Sequence, residues 1–176
     1  MSGHNKWSKI KHQKAATDAK KSQVFSKYVR LITSESKKAR GDVNSPALAV
    51  VIEKARKENM PKDVIDRAVK KGTESGGGNM GAITYEAYGP GGSAIIIEVL
   101  TDNRNKAAQE VRAILARNEA QLAAVGAASW AFEKKEREWI PKTTTELQDS
   151  DLEKLEKLVD DLENNEDVQA VFTNVE

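Results

Sequence analysis

Two histidines and a scatter of carboxylates are the groups in this 176-residue chain suited to proton transfer near neutral pH. His4 and His12 both lie in a stretch crowded with lysine, and Asp18 is the nearest acid. A general base needs a carboxylate to orient it and a closed pocket to work in, and neighbouring ammonium groups oppose both the imidazolium and a metal ion. Contact with a phosphate or a base edge suits these histidines better. The chain has no cysteine, which removes thiolate nucleophiles, disulfides and Cys-based zinc sites. Most carboxylates gather near the C-terminus, where a charge run is an ordinary solvated helix face. Asp102 stands apart, at a strand-to-helix switch, and a cap at the helix N-terminus accounts for it. These residues assign no catalytic group, no metal ligand and no cofactor, so the expectation is a non-enzyme without a small-molecule substrate.

The basic residues support a stronger argument. Lys6, Lys9, Lys11, Lys14, Lys20, Lys21, Lys27 and Arg30 fall close together, interleaved with Trp7, Phe25 and Tyr28. Residues 1–40 hold eleven Lys/Arg against two acids, a balance of +9, while residues 133–176 hold six against fourteen, a balance of −8. The overall charge of +1 conceals this asymmetry, which points to a polyanion partner at one end. Lysines neutralise phosphates as point charges, and Trp7 is placed either to stack on an exposed base or to pack back on the helices. Phe25 reads as core. The candidate nucleic-acid-binding set is therefore His4, Lys6, Trp7, Lys9, Lys11, His12, Lys14, Lys20, Lys21, Lys27 and Arg30. Lys54, Arg56, Lys57, Lys62, Arg67, Lys70 and Lys71 extend the positive character, giving eighteen basic against eight acidic residues over positions 1–80.

The elements that must position these groups follow from periodicity and punctuation. Residues 1–14 show no helical period and read as a basic arm. A helix over about 15–40 carries Val24, Tyr28, Leu31 and Ile32 on one stripe, with Gly41 at its C′ position. Ser45 and Pro46 open a second helix with Leu48, Val51, Ile52 and Ala55 inward. Met60-Pro61 ends it and starts a third, with Val64, Ile65, Ala68 and Val69 inward and Gly72 as its stop. Three such stripes predict a small helical bundle. The Gly-rich stretch 73–80 reads as a linker, since no Gly-Lys-Ser/Thr follows it to make a phosphate loop. Domains are thus expected at 1–72 and 81–176. In the second, strands at Ile83–Tyr88 and Ala94–Leu100 flank the turn Gly89-Pro90-Gly91-Gly92, and a helix follows with Ala107, Val111, Ile114 and Leu115 inward. A strand is expected at Ala127–Phe132. Ser150 and Glu153 form a capping box for a helix with Leu152, Leu155, Val159 and Leu162 inward, before a last strand at Val168–Thr173. The fold class is α+β, a helical bundle joined to a small domain with a mostly antiparallel sheet. With no apolar run near the ~20 residues of a membrane helix and no secretory signal, a cytoplasmic protein with no membrane partner is expected, a monomer by preference.

Five segments carry a resemblance to a known family. They are Gly3-His4-Asn5-Lys6-Trp7-Ser8-Lys9-Ile10-Lys11-His12-Gln13-Lys14-Ala15-Ala16, Asn59-Met60-Pro61-Lys62-Asp63, Tyr88-Gly89-Pro90-Gly91-Gly92, Leu100-Thr101-Asp102-Asn103-Arg104-Asn105 and Ile140-Pro141-Lys142. In this order they resemble the YebC/PmpR family, which includes the mitochondrial translational activator of cytochrome oxidase. The resemblance implies a three-domain cytoplasmic protein without enzymatic activity, acting as a DNA-binding transcriptional regulator. Other members resemble ribosome-associated translation factors that help synthesis through proline-rich stretches.

The chain departs from that pattern. Ordinary members carry a ferredoxin-like domain between a Phe-Glu-Arg/Lys-Lys strand and the Ile-Pro-Lys segment, whereas here Phe132-Glu133-Lys134-Lys135 runs almost directly into Trp139-Ile140-Pro141-Lys142. The inserted domain is absent near 133–139, so its two ends must lie close in space. Asn118-Glu119-Ala120-Gln121 also replaces a glycine-rich turn. Two functions follow. The first is a transcriptional regulator holding DNA mainly by its backbone, since no recognition helix with Arg, Asn or Gln spaced for base edges stands out. The alternative is a ribosome- or ribosomal-RNA-associated translation factor that relieves stalling or activates translation, because an arm bearing His4, Trp7 and His12 suits irregular RNA better than a regular duplex. A weaker third is a protein-interaction module docking through the acidic C-terminal helix.

Overall fold

The computed structural model describes residues 18–76 and 79–176. They divide into two compact units: a helical one that runs to Gly81 and takes in Leu100–Asn103, and an α+β one of Ala82–Val99 and Arg104–Glu176. The expected class is observed, with the three-helix bundle preceding the sheet.

The helical unit comprises α1 (Asp18–Ala39), α2 (Pro46–Lys57) and α3 (Lys62–Thr73). Pro46 occupies the first turn of α2 after Ser45, whose side chain makes no capping bond, so proline's fixed φ and missing donor suffice to start the helix. Leu48, Val51 and Ala55 of α2 and Ile65 and Ala68 of α3 close around Ile32. The stripe expected on α1 is corrected: among the described residues this core takes in Phe25 and Val29 but not Val24. A helix wedged against two partners needs a wider inner face than a single stripe provides.

Hydroxyls and a glycine knit α1 to α3. Ser36 Oγ donates to the Val69 carbonyl at 2.6 Å, and Thr33 Oγ1 lies 3.3 Å from the Ala68 carbonyl. Gly72 is buried inside α3 and does not end it. A β-carbon there would meet the Thr33 carbonyl oxygen at 2.5 Å and Ser36 Cβ at 2.7 Å. Glycine is required for this close approach, a role its sequence neighbours do not announce.

The ends of α1 and α2 follow one scheme. In α1 the Gly41 amide bonds the Ser36 carbonyl (2.9 Å) and the Arg40 amide bonds that of Lys37 (3.3 Å). Met60 and Asn59 repeat the pattern on α2. This is the Schellman arrangement, and its left-handed C′ residue is Arg40 (φ 52°) or Asn59 (φ 62°). Gly41 accordingly lies one place beyond the C′ position expected for it.

The α+β unit is built on β1 (Gly81–Tyr88), β2 (Ala94–Thr101), α4 (Arg104–Arg117), β3 (Gln121–Ala123), β4 (Phe132–Lys135), β5 (Glu138–Pro141), α5 (Asp149–Glu163) and β6 (Val168–Thr173), with Gly81, Leu100 and Thr101 at the strand ends counted in the helical unit. One sheet has the order β3-β1-β2-β6, with β1–β3 and β2–β6 antiparallel, and β4–β5 form a separate hairpin. On one face Ile95, Ile97 and Val99 meet Val111 and Leu115 of α4 and Leu155 and Leu158 of α5. On the other, Ala94 and Ile96 meet Phe132 and Trp139 of the hairpin. Cover on both faces explains why β2 reads as an almost unbroken apolar run.

Two expectations fail here. The strand at Ala127–Phe132 is absent: residues up to Ala131 form turns and a short 3₁₀ helix (Ser129–Ala131), and strand begins only at Phe132. Alanines fit a covered turn as readily as a strand, and the amides of this segment bond a carboxylate instead of a neighbouring strand. The capping box is also displaced, because α5 starts at Asp149 with Gln148 before it and no side-chain cap, leaving Ser150 inside the first turn. Asp149 and Asp151 supply that end's favourable negative charge. In contrast to that displaced start, the β4–β5 connection is tight: Lys135 and Glu138 are direct cross-strand partners joined by Glu136-Arg137.

Candidate nucleic-acid interface

Of the candidate residues, His4, Lys6, Trp7, Lys9, Lys11, His12 and Lys14 lie outside the described residues. Lys20, Lys21, Lys27 and Arg30 fall on α1. At 100° per residue Lys20, Lys27 and Arg30 share one arc of the helix, and Lys21 is displaced toward the arc of Tyr28 and Ile32. Lys21 is exposed; Lys20, Lys27 and Arg30 are half-buried and engaged with neighbours. Arg30 Nη1 lies 3.5 Å from the Leu100 carbonyl within the same unit. The structure therefore brings three of the four together and separates the fourth.

Ion pairing sorts the remaining cations. Glu53–Lys57 (3.2 Å), Lys62–Asp66 (3.0 Å) and Asp63–Arg67 (3.1 Å) are exposed pairs at i,i+4. Among the described residues Arg40, Lys54, Arg56, Lys70 and Lys71 have no carboxylate within 4 Å, and all five are exposed. These are the cations free to meet phosphates, and the i,i+4 spacing of the others was a readable signal for separating the two groups. Tyr28 also belongs to this unit; burial, and then the charge of Glu58, push its phenol above the ordinary value, so it stays protonated.

In the other unit the most constrained carboxylate is Glu86 on β1. It is buried and accepts hydrogen bonds from the amides of Gly126 (2.6 Å), Ala128 (3.0 Å) and Ser129 (2.6 Å). Burial raises its carboxyl, but the amide bonds from Gly126, Ser129 and Ala128 and the Ser129 side chain outweigh this and hold it below its ordinary value. An ionised acceptor saturated by amides fastens a loop and is unsuited to proton transfer. The loop also receives the Tyr88 hydroxyl at the Ala127 carbonyl and displays Trp130 and Val125 to solvent. On the same sheet face Glu98 accepts from Trp139 Nε1 (2.6 Å) and Thr84 (3.1 Å), while Lys134 lies over the Trp139 ring. Among the described residues no group of three or more His, Cys, Asp or Glu is placed to hold a metal ion, and no helix is long and apolar enough to cross a membrane.

Comparison with known proteins agrees with this layout. Residues 5–75 match the TACO1/YebC protein N-terminal domain, and residues 80–137 and 133–175 match the TACO1/YebC second and third domain. The two pieces of the latter meet at the β4–β5 hairpin. A "Probable transcriptional regulatory protein" of Petrotoga mobilis is 47% identical over 178 residues, covering 98% of this chain and 70% of that protein. One of the same name from Fervidobacterium nodosum is 39% identical over 235 aligned residues, covering 99% of this chain and 93% of that protein. An alignment longer than the chain itself means that this relative carries additional residues. A crystal structure of a conserved hypothetical protein, Aq1575, from Aquifex aeolicus superposes with a TM-score of 0.84 at 28% identity, covering 95% of each chain.

Proposed function

The chain belongs to the TACO1/YebC family, and from that premise we propose that it is a nucleic-acid-binding regulator of gene expression, a transcriptional regulator in the sense of its relatives' names. The observation that carries this reading is the charge division. The helical unit bears exposed cations without carboxylate partners among the described residues, and it follows a segment holding Lys6, Lys9, Lys11 and Lys14; the opposite end of the chain is acidic. Contacts of this kind neutralise phosphates, and affinity then falls steeply with salt while base readout is slight. The protein acts by binding in the cytoplasm, without enzymatic turnover. The arm, α1 and the free cations Arg40, Lys54 and Lys71 form the binding region, and the domain boundaries 1–72 and 81–176 separate it from the sheet unit.

A second reading places the same region on ribosomal RNA in a translation factor. It is favoured by Trp7, His4 and His12 among the arm's lysines, a composition suited to stacking on unpaired bases. Sedimentation with ribosomes, set against affinity for random-sequence duplex DNA at physiological salt, distinguishes the two. Ribosome association surviving moderate salt, with only weak duplex binding, overturns the transcriptional reading. Tight duplex binding without co-sedimentation overturns the second.

A further inference from the structure

Between α2 and α3 the helical unit has an open groove of about 570 Å³. Its long wall is one face of α3 from Lys62 to Thr73, contributing residues at i, i+3, i+4, i+7, i+8 and i+11. Eleven steps at 1.5 Å make a trough of about 16 Å, three helical turns long. The facing wall is Ala49, Ile52 and Arg56 of α2, and Val43 closes one side while remaining 49% exposed. Ile52, Ile65 and Val69 make the floor aliphatic.

Charge marks both ends. Arg56 stands toward the α2–α3 turn and Lys70 toward the end of α3, each without a carboxylate partner among the described residues. Among the described residues Asp66 is the acid in the lining, and Lys62 already pairs with it at 3.0 Å. Among the described residues no aromatic side chain lines the trough, so these offer nothing on which a base stacks, and its length exceeds what a single nucleotide needs. An elongated aliphatic floor between cationic ends complements a helix with apolar anchors at i, i+3/i+4 and i+7 and acids beside them.

We propose that the α2–α3 groove is a docking site for an acidic amphipathic helix of a partner protein, separate from the nucleic-acid contacts of the arm and α1. Seating such a helix covers Val43 and joins its carboxylates to Arg56 and Lys70.

The test uses the 15N-labelled full chain and an 18-residue acidic peptide with Leu at positions 4, 7, 11 and 14 and Glu or Asp around them. A scrambled peptide of the same composition and a 12-nucleotide single-stranded RNA serve as comparisons. The patterned peptide is expected to shift the amides of Val43, Ile52 and Val69, and the scrambled one to leave them in place. Val43→Ser and the double variant R56Q/K70Q should each weaken binding about five- to tenfold with unchanged melting temperature, all three side chains being exposed. Equal binding of the scrambled peptide, shifts lying away from the groove, or unchanged affinity in both variants would overturn the proposal. So would RNA that moves the same amides and displaces the peptide.

Discussion

Gly72 on α3 and Thr33 on α1 approach so closely that a β-carbon on the glycine would lie 2.5 Å from the Thr33 carbonyl oxygen. A backbone oxygen cannot swing aside as a side chain does. Alanine at an open helix position gains about 1 kcal/mol over glycine. At this position it must force α1 and α3 apart and disturb the Ser36–Val69 hydrogen bond. Gly72→Ala should therefore lower stability by about 2 kcal/mol, the scale of overpacking a well-filled interior. Urea unfolding followed by circular dichroism reads the change; a variant as stable as the parent, or more so, contradicts the contact.

The end of α4 predicts the opposite sign. Ala120 and Glu119 bond back to Leu115 and Ala116 in the Schellman pattern, and Glu119 takes the left-handed place at φ 57°. A non-glycine residue there costs about 1 kcal/mol, while the exposed ion pair of Glu119 with Lys154 at 3.4 Å returns at most about 0.5 kcal/mol. Glu119→Gly should raise the melting temperature by a few degrees. A fall would mean that the ion pair outweighs the backbone strain.

How much of this was legible in the sequence depends on whether a feature is local. Pro46 marks the start of α2 because its missing donor does no harm at a helix beginning, and the apolar run of β2 and the apolar stripe of α5 report burial directly. The role of Gly72 depends on a helix more than thirty residues away, so its position near a linker suggested a stop. The segment before Phe132 read as a strand because apolar residues carry no sign of which partner takes their amides. That partner is Glu86, about forty residues earlier. The candidate interface was legible as charge, whereas which cations are free required the ion pairs, and the arm itself lies outside the described residues.

Glu86 makes the fold's pH response specific. Its folded carboxyl lies below the ordinary value of 4.5, so its contribution is complete above that value and is lost as pH falls through the folded one. Acidification below about pH 4.5 should release the Gly126–Ser129 amides, read as faster hydrogen exchange there and a change in Trp130 emission. Glu86→Gln should show fast exchange at neutral pH and lose about 2 kcal/mol, having replaced a charged acceptor by a neutral one. Slow exchange persisting in that variant would show that the carboxylate does not hold the loop.

The central claim is that the basic arm delivers the chain to a polyanion, and its most direct test is the salt dependence of binding with and without residues 1–14. The full chain and the truncated one are titrated against the same labelled nucleic acid, ribosomal RNA and random duplex DNA in turn, across a range of potassium chloride. Removing Lys6, Lys9, Lys11 and Lys14 should abolish tight binding and flatten the slope of log affinity against log salt by about three. An unchanged affinity and slope after truncation would contradict it, leaving the cations of the helical bundle as the binding surface.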